Sequence, residues 1–168
     1  ELDVRDKSGK ILSRRRVEAR SFLIAYSRLL RAWWMQNQGS ETIIDINNAG
    51  RSMPQNQNQY TVNTRFIGIN DGTTTGIIPG TGSAANTVST FALQTEIANG
   101  SGAGQLVFGP ETDVTPTIAG SVITWKTIRV FTNNTVSPIT VNELALYARS
   151  QSNDQSLYIF CIARDVLS

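Results

Sequence analysis

The spacing of apolar positions along this chain changes period several times, and each change marks an element. Leu2-Asp3-Val4-Arg5-Asp6 alternates apolar and polar side chains, as a half-buried strand does. Lys7-Ser8-Gly9-Lys10 is a turn signal, and Ile11 to Val17 can return beside the first strand as a hairpin. The period then lengthens. Phe22, Tyr26, Leu29, Leu30 and Trp33 fall at helical spacing, with Leu23 and Trp34 widening the stripe, which predicts an amphipathic helix over 19–37. Gln38-Gly39-Ser40 closes it. Residues 42–46 suit a short strand, 47–59 read as a polar loop containing Pro54, and 60–69 as a strand.

From Asn70 the chain fills with small residues, and nine of its 13 glycines lie between Gly68 and Gly109. The run Phe91-Ala92-Leu93-Gln94-Thr95-Glu96-Ile97 interrupts them, so this stretch reads as loops pinned to a body rather than as a free linker. Ser121 to Thr132, Ile139 to Ala148 and Leu157 to Ala163 are rich in β-branched and aromatic residues. The last is apolar enough to be buried on both faces. Short polar connections at 133–135 and 149–155 would join the three into an antiparallel meander. The predicted fold class is mainly β: an antiparallel β-sandwich or barrel, with an N-terminal hairpin and one amphipathic α-helix packed on it. It forms a single domain over 1–168.

Composition narrows the chemistry. The chain has no His and one Cys. A Ser-His-Asp triad, a His general base and a His metal site are therefore unavailable, and a lone cysteine builds neither a disulfide nor a Cys-rich zinc site. Catalysis by carboxylates alone stays open, although no enzyme activity is expected. No apolar run approaches the about 18–20 residues that span a bilayer, so no membrane partner is expected. The chain starts at Glu1 without a signal-like segment, which fits either a processed or a trimmed start. Charge is uneven. Residues 1–40 carry nine basic and four acidic groups, while 41–168 carry six and nine. A basic hairpin and helix thus precede a nearly uncharged β body with Gly-rich loops.

Several side chains are candidates for chemistry or contact. Arg14-Arg15-Arg16 suggests phosphate binding, but alternate residues of a strand face opposite ways, so the run is not one patch. Arg28 and Arg31 can share a helix face. A solvated or acid-paired edge is the simpler reading, and nucleic acid is not the expected partner. These five arginines, with Trp34, Asp71 and Thr74, are the candidate contacts to neighbouring subunits. Gly80-Thr81-Gly82-Ser83-Ala84-Ala85 loosely matches the dinucleotide fingerprint, yet Pro79 precedes it and Asn86-Thr87-Val88-Ser89-Thr90 is poor helix material. A structural glycine turn fits better, and no cofactor is expected. Asp71, Glu111 and Asp113 lie in apparent polar loops, without EF-hand spacing for calcium. Glu96 and Glu143 each interrupt an apolar run. A buried carboxylate needs a cation, which Arg129 or Arg164 would supply. Two carboxylates can also hydrolyse glycosides, but chain position does not set their separation, so a structural ion pair is favoured. Cys161 reads as an inert core residue. Asn99-Gly100-Ser101 and Asn133-Asn134-Thr135 are glycosylation triplets of the kind common by chance.

Several of these motifs resemble those of virion structural proteins of tailed bacteriophages. The Gly80-Thr81-Gly82 loop ahead of Ala92-Leu93-Gln94-Thr95-Glu96-Ile97 is similar to their Gly-x-Gly loop ahead of an Ala-Leu-x-x-Glu segment. Val130-Phe131-Thr132-Asn133-Asn134 followed by Ile139-Thr140-Val141-Asn142-Glu143-Leu144-Ala145-Leu146-Tyr147 resembles their ITVxExGLY strand. Ala145 stands here where that pattern has Gly. The closing Ile162-Ala163-Arg164-Asp165-Val166-Leu167 fits as well, and the opening hairpin through Asp6-Lys7-Ser8-Gly9-Lys10 and Arg20-Ser21-Phe22-Leu23 is similar to that of related phage proteins. The resemblance implies architectural roles for Gly80, Gly82, Leu93, Glu96, Glu143, Tyr147, Arg164 and Asp165, and no catalytic, cofactor or metal residues.

The expected function is accordingly that of a non-enzymatic part of the virion, present in multiple copies on a phage capsid or tail. Its expected partners are copies of itself and other virion proteins, met through the loops and the N-terminal segment. Decoration, tail and collar positions are all compatible. A carbohydrate- or cell-surface-binding module using aromatics such as Tyr60 or Trp125, a carboxylate glycosidase and a cellular filament subunit are the alternatives.

Overall fold

The computed structural model describes residues 2–15, 22–34, 41–53 and 74–167. Its elements are β1 (Leu2–Arg5), β2 (Ile11–Arg15), α1 (Ile24–Trp34), β3 (Glu41–Ile44), β4 (Gly50–Met53), β5 (Gly76–Gly80), β6 (Val107–Ala119), β7 (Val122–Thr132), β8 (Glu143–Gln151) and β9 (Leu157–Val166). The fold is mainly β with one helix, as the sequence pattern predicts, and every described strand pairing is antiparallel.

The centre is the three-stranded sheet β5-β8-β9. Its alternation of side chains feeds two cores, one on each face. Ile78, Ala145, Tyr147 and Cys161 point to one side, where Leu23, Leu93, Ile97, Leu106 and Phe108 cover them. Ala148, Phe160 and Ile162 point to the other, where α1 and the β3-β4 hairpin supply Ala25, Leu29, Ala32, Ile43 and Met53. Burial on both faces explains why 157–163 is nearly continuously apolar. The register shift between Leu146 and Tyr147 marks a bulge at Ile162 of β9, where Leu146 pairs with Ala163 and Tyr147 with Cys161. Ala145 is buried, so the Cβ it carries in place of the pattern's Gly is packed into the first core.

The helix begins later than the periodicity suggests; 19–21 and 35–37 lie outside the described residues. Among its described side chains the buried stripe is Ala25, Leu29 and Ala32, with Tyr26 half-buried and Leu30 exposed. Phe22 precedes the helix, is 59% exposed, and stacks on Tyr26 with ring centroids 4.5 Å apart. The side chains of Trp33 and Trp34 lie outside what the structure describes.

Four expectations are corrected. Residues 50–53 are not loop but the return strand of a hairpin. Asp45 organises its turn: its Oδ1 accepts the Asn47 and Ala49 N–H groups, and its Oδ2 accepts Arg51 Nε at 2.7 Å. Residues 76–80, read as part of a glycine-rich loop, form β5 against β8. Glu111 and Asp113 lie not in a polar loop but in β6, a strand of 13 residues. Its prolines, Pro110 and Pro116, sit at the two register shifts, where the missing N–H is tolerated. The meander is also wrong, because β7 pairs with β6 while β8 pairs with β5 and β9. The strand expected at 60–69 lies outside the described residues.

Candidate functional site

The motif residues converge on Glu143. This first residue of β8 is fully buried, and its carboxylate is enclosed by three separate segments. Oε1 accepts the backbone N–H of Gly82 at 2.9 Å and of Thr95 at 3.0 Å; Oε2 accepts that of Gln94 at 3.2 Å and Arg164 Nε at 2.6 Å. Arg164, itself 2% exposed, spends another donor on the carbonyl of Ala84, 3.0 Å away. Gln94 Oε1 accepts from Ser83 and Ala84 N–H, so the loop is held on both sides. Burial alone would raise the Glu143 carboxyl. The Thr95 N–H, the Arg164 guanidinium and the Gln94 N–H outweigh it and keep the group below the ordinary carboxylate range.

This clasp explains the Gly-x-Gly motif. A Cβ on Gly80 would stand 2.6 Å from Glu143 Oε1 and 2.7 Å from the carbonyl oxygen of Thr95, and one on Gly82 would collide with Glu143 Oε1. The glycines are there so that backbone can wrap the carboxylate, as it would wrap a phosphate in a dinucleotide site. The loop's anion is thus internal. Asn142 adds to the closure: its N–H and side chain bond the carbonyls of Gly80 and Thr81, and its own carbonyl accepts Leu167 N–H. Deeper in the same core, the Tyr147 hydroxyl accepts Leu93 N–H at 2.9 Å, and burial pushes its phenol well above the usual range.

A second clamp, which the sequence reading missed, joins β5 to the base of the β6-β7 hairpin. Glu111 and Arg129 face each other across that hairpin. Glu111 accepts Ile77 N–H at 2.8 Å, while Arg129 Nη1 donates to the carbonyls of Thr75 and Ile77 and Nε to that of Gly109. The guanidinium also lies over the Phe108 ring, 5.0 Å from its centroid. Gly76, at φ +82°, has backbone where a Cβ would strike the Glu111 carboxylate. The signal in the sequence was Arg129 itself, a lone charge inside Ile128-Val130.

The other candidates are dispersed. Glu96 is exposed, and its backbone forms an isolated bridge with Gly80. Asp165 faces Leu144 across β8-β9. Of the basic residues, Arg14 bonds Asp3 at 2.7 Å, Arg15 donates to the carbonyl of Leu167, Arg28 donates to that of Thr42, and Arg31 pairs with Glu41. Arg14 and Arg31 are thus paired with acids, while Arg15 and Arg28 are bonded to backbone carbonyls. Thr74 is exposed just ahead of β5. Arg16, Tyr60 and Asp71 lie outside the described residues, as do the side chains of Trp34, Asp113 and Trp125. Among the described residues no three acidic or cysteine side chains gather as a metal site.

Chemically, Glu143 has no lone pair or proton to offer a substrate, because four donors, one of them its ion-pair partner Arg164, saturate it. The site positions backbone. Comparison with protein-family models, curated proteins and solved structures finds no match for this chain.

Proposed function

We propose that this chain is a non-enzymatic structural protein of a tailed-phage virion, present in multiple copies on the capsid or tail. The observation that carries the reading is the clasp. The segments resembling phage structural proteins, spread from Gly80 to Arg164, interlock around one saturated carboxylate, as an architectural motif requires. Two hairpins with exposed strands, β1-β2 and β6-β7, offer surface for neighbours. The clasp also weakens the glycosidase alternative, since a general acid or nucleophile must reach its substrate.

The test is the composition of purified particles of the phage that encodes this chain. Quantitative mass spectrometry is expected to find it in a fixed ratio of many copies to the major capsid protein. Its absence from intact particles, while it is abundant in infected cells, would overturn the proposal.

A further inference from the structure

Beyond the Glu111–Arg129 clamp, the β6-β7 hairpin continues as an arm. Nearly every residue over 112–128 whose burial is described is exposed, and among the described residues no third strand joins either edge. A two-stranded hairpin alone in water is marginally stable at best. This one also carries apolar side chains outward: Ile118 is 75% exposed, Ile123 69%, Val130 62% and Val122 60%, with Val114 and Ile128 each at 39%. Ile118 and Ile123 are cross-strand partners near the tip. Alternation places Val122, Ile128 and Val130 together on the opposite face.

We propose that this arm is the surface through which one copy of the chain joins another, arm against arm. The proposal rests on the multi-copy reading above and names the contact that reading requires.

Two observations favour a second copy as the occupant. The first is area. Val114, Val122, Ile128 and Val130 share one face, and their exposures together amount to about two fully exposed residues, on the order of 300 Å² of contiguous apolar surface. A standard interface buries about 800 Å² per partner, a little over half of it apolar, so this one face supplies most of the apolar share. The second is charge. A two-fold contact brings each surface against itself, so a surface of one sign repels its copy. Residues 112–128 carry only Asp113 and Lys126, of opposite sign. Their register positions lie on opposite faces of the hairpin, so neither face gathers like charge. The β1-β2 hairpin, with a basic excess, has no such self-compatibility.

The test is sedimentation of the full-length chain over a concentration series, beside two variants that keep the hairpin. Ile118→Glu with Ile123→Lys replaces an apolar cross-strand pair by an ionic one. Val122→Thr with Val130→Thr keeps β-branching on the other face. Both should retain the wild-type thermal midpoint; the Val122 and Val130 variant, on the proposed face, should lose at least about tenfold in self-association, and the Ile118 and Ile123 variant, on the other face, should keep it. In addition, Thr124→Cys should form a disulfide between copies under mild oxidation, since Cys161 is buried. If the Val122 and Val130 variant associates like wild type, if the Ile118 and Ile123 variant loses as much, or if Thr124→Cys does not cross-link, the arm proposal falls, while a wild-type oligomer would leave the multi-copy reading standing. A wild type that stays monomeric throughout also overturns the arm, and particle composition then decides the multi-copy reading separately.

Discussion

At the scale of single residues, the cost of a change follows from what the side chain encloses. Glu143→Gln is nearly isosteric, yet it swaps one acceptor for an amide donor where only donors converge. It also leaves Arg164 buried without its counter-charge. A loss of about 3–5 kcal/mol is expected, read as a drop in the urea midpoint. Arg14→Ala is the contrast. Its pair with Asp3 involves an arginine side chain 52% exposed, and such pairs contribute about 0–1 kcal/mol. Gly80→Ala forces a Cβ against the backbone of Thr95 as well as against Glu143, so overpacking of about 1–3 kcal/mol is expected in the same assay. A Gly80→Ala variant as stable as wild type would remove the close-approach account of the motif.

At the scale of elements, stability should be graded along β6-β7. In dilute solution, amides near Phe108 and Arg129 should exchange slowly and those between Val114 and Thr124 quickly, because only the base packs on a core. Hydrogen exchange reads this directly, and uniform protection along the hairpin would contradict it. Cys161 reports on the body. It is buried in β9, and burial pushes its thiol up to about 12, so alkylation should follow global opening and stay slow in native buffer. The same grading decides what was legible in the sequence. β7 and β9 were, because β-branched and aromatic residues dominate both. So was the Glu143–Arg164 alternative, because a carboxylate amid apolar neighbours demands a cation. β6 was not, since two prolines and several polar residues mask a strand whose outer part faces water. β4 was not either, because Gly50-Arg51-Ser52 is polar and becomes a strand only through the Asp45 turn. The pairing of β7 with β6 rather than β8 is a tertiary choice that local pattern does not encode.

For the whole molecule, the pH dependence follows from carboxylates held below their ordinary values. Glu143 is lowered from 4.5 and Asp45 from 3.8, in each case against burial, by hydrogen bonds and an arginine. The unfolded chain then binds more protons than the folded one, so stability rises with pH through this region. It is fully present above the unfolded carboxylate values and lost as pH falls through the lowered ones. With no histidine, no side chain of ordinary pKa titrates between about pH 5 and 8. Denaturation midpoints should therefore be flat across that window and decline below about pH 4.5. A midpoint that changes strongly near pH 6.5 would contradict this account.

The clasp also imposes an order in time. Gly82 and Arg164 stand 82 positions apart along the chain, and the carboxylate between them needs both. During vectorial synthesis, the loop at 80–95 and the whole β6-β7 hairpin emerge before the cation that will neutralise Glu143 has been made. Until Arg164 arrives, burial of Glu143 is opposed by an unpaired charge. The central sheet therefore closes late, around a hairpin that is already out and exposed. If the arms join copies as proposed, those hairpins would meet one another before their own bodies are finished, and assembly and folding would overlap.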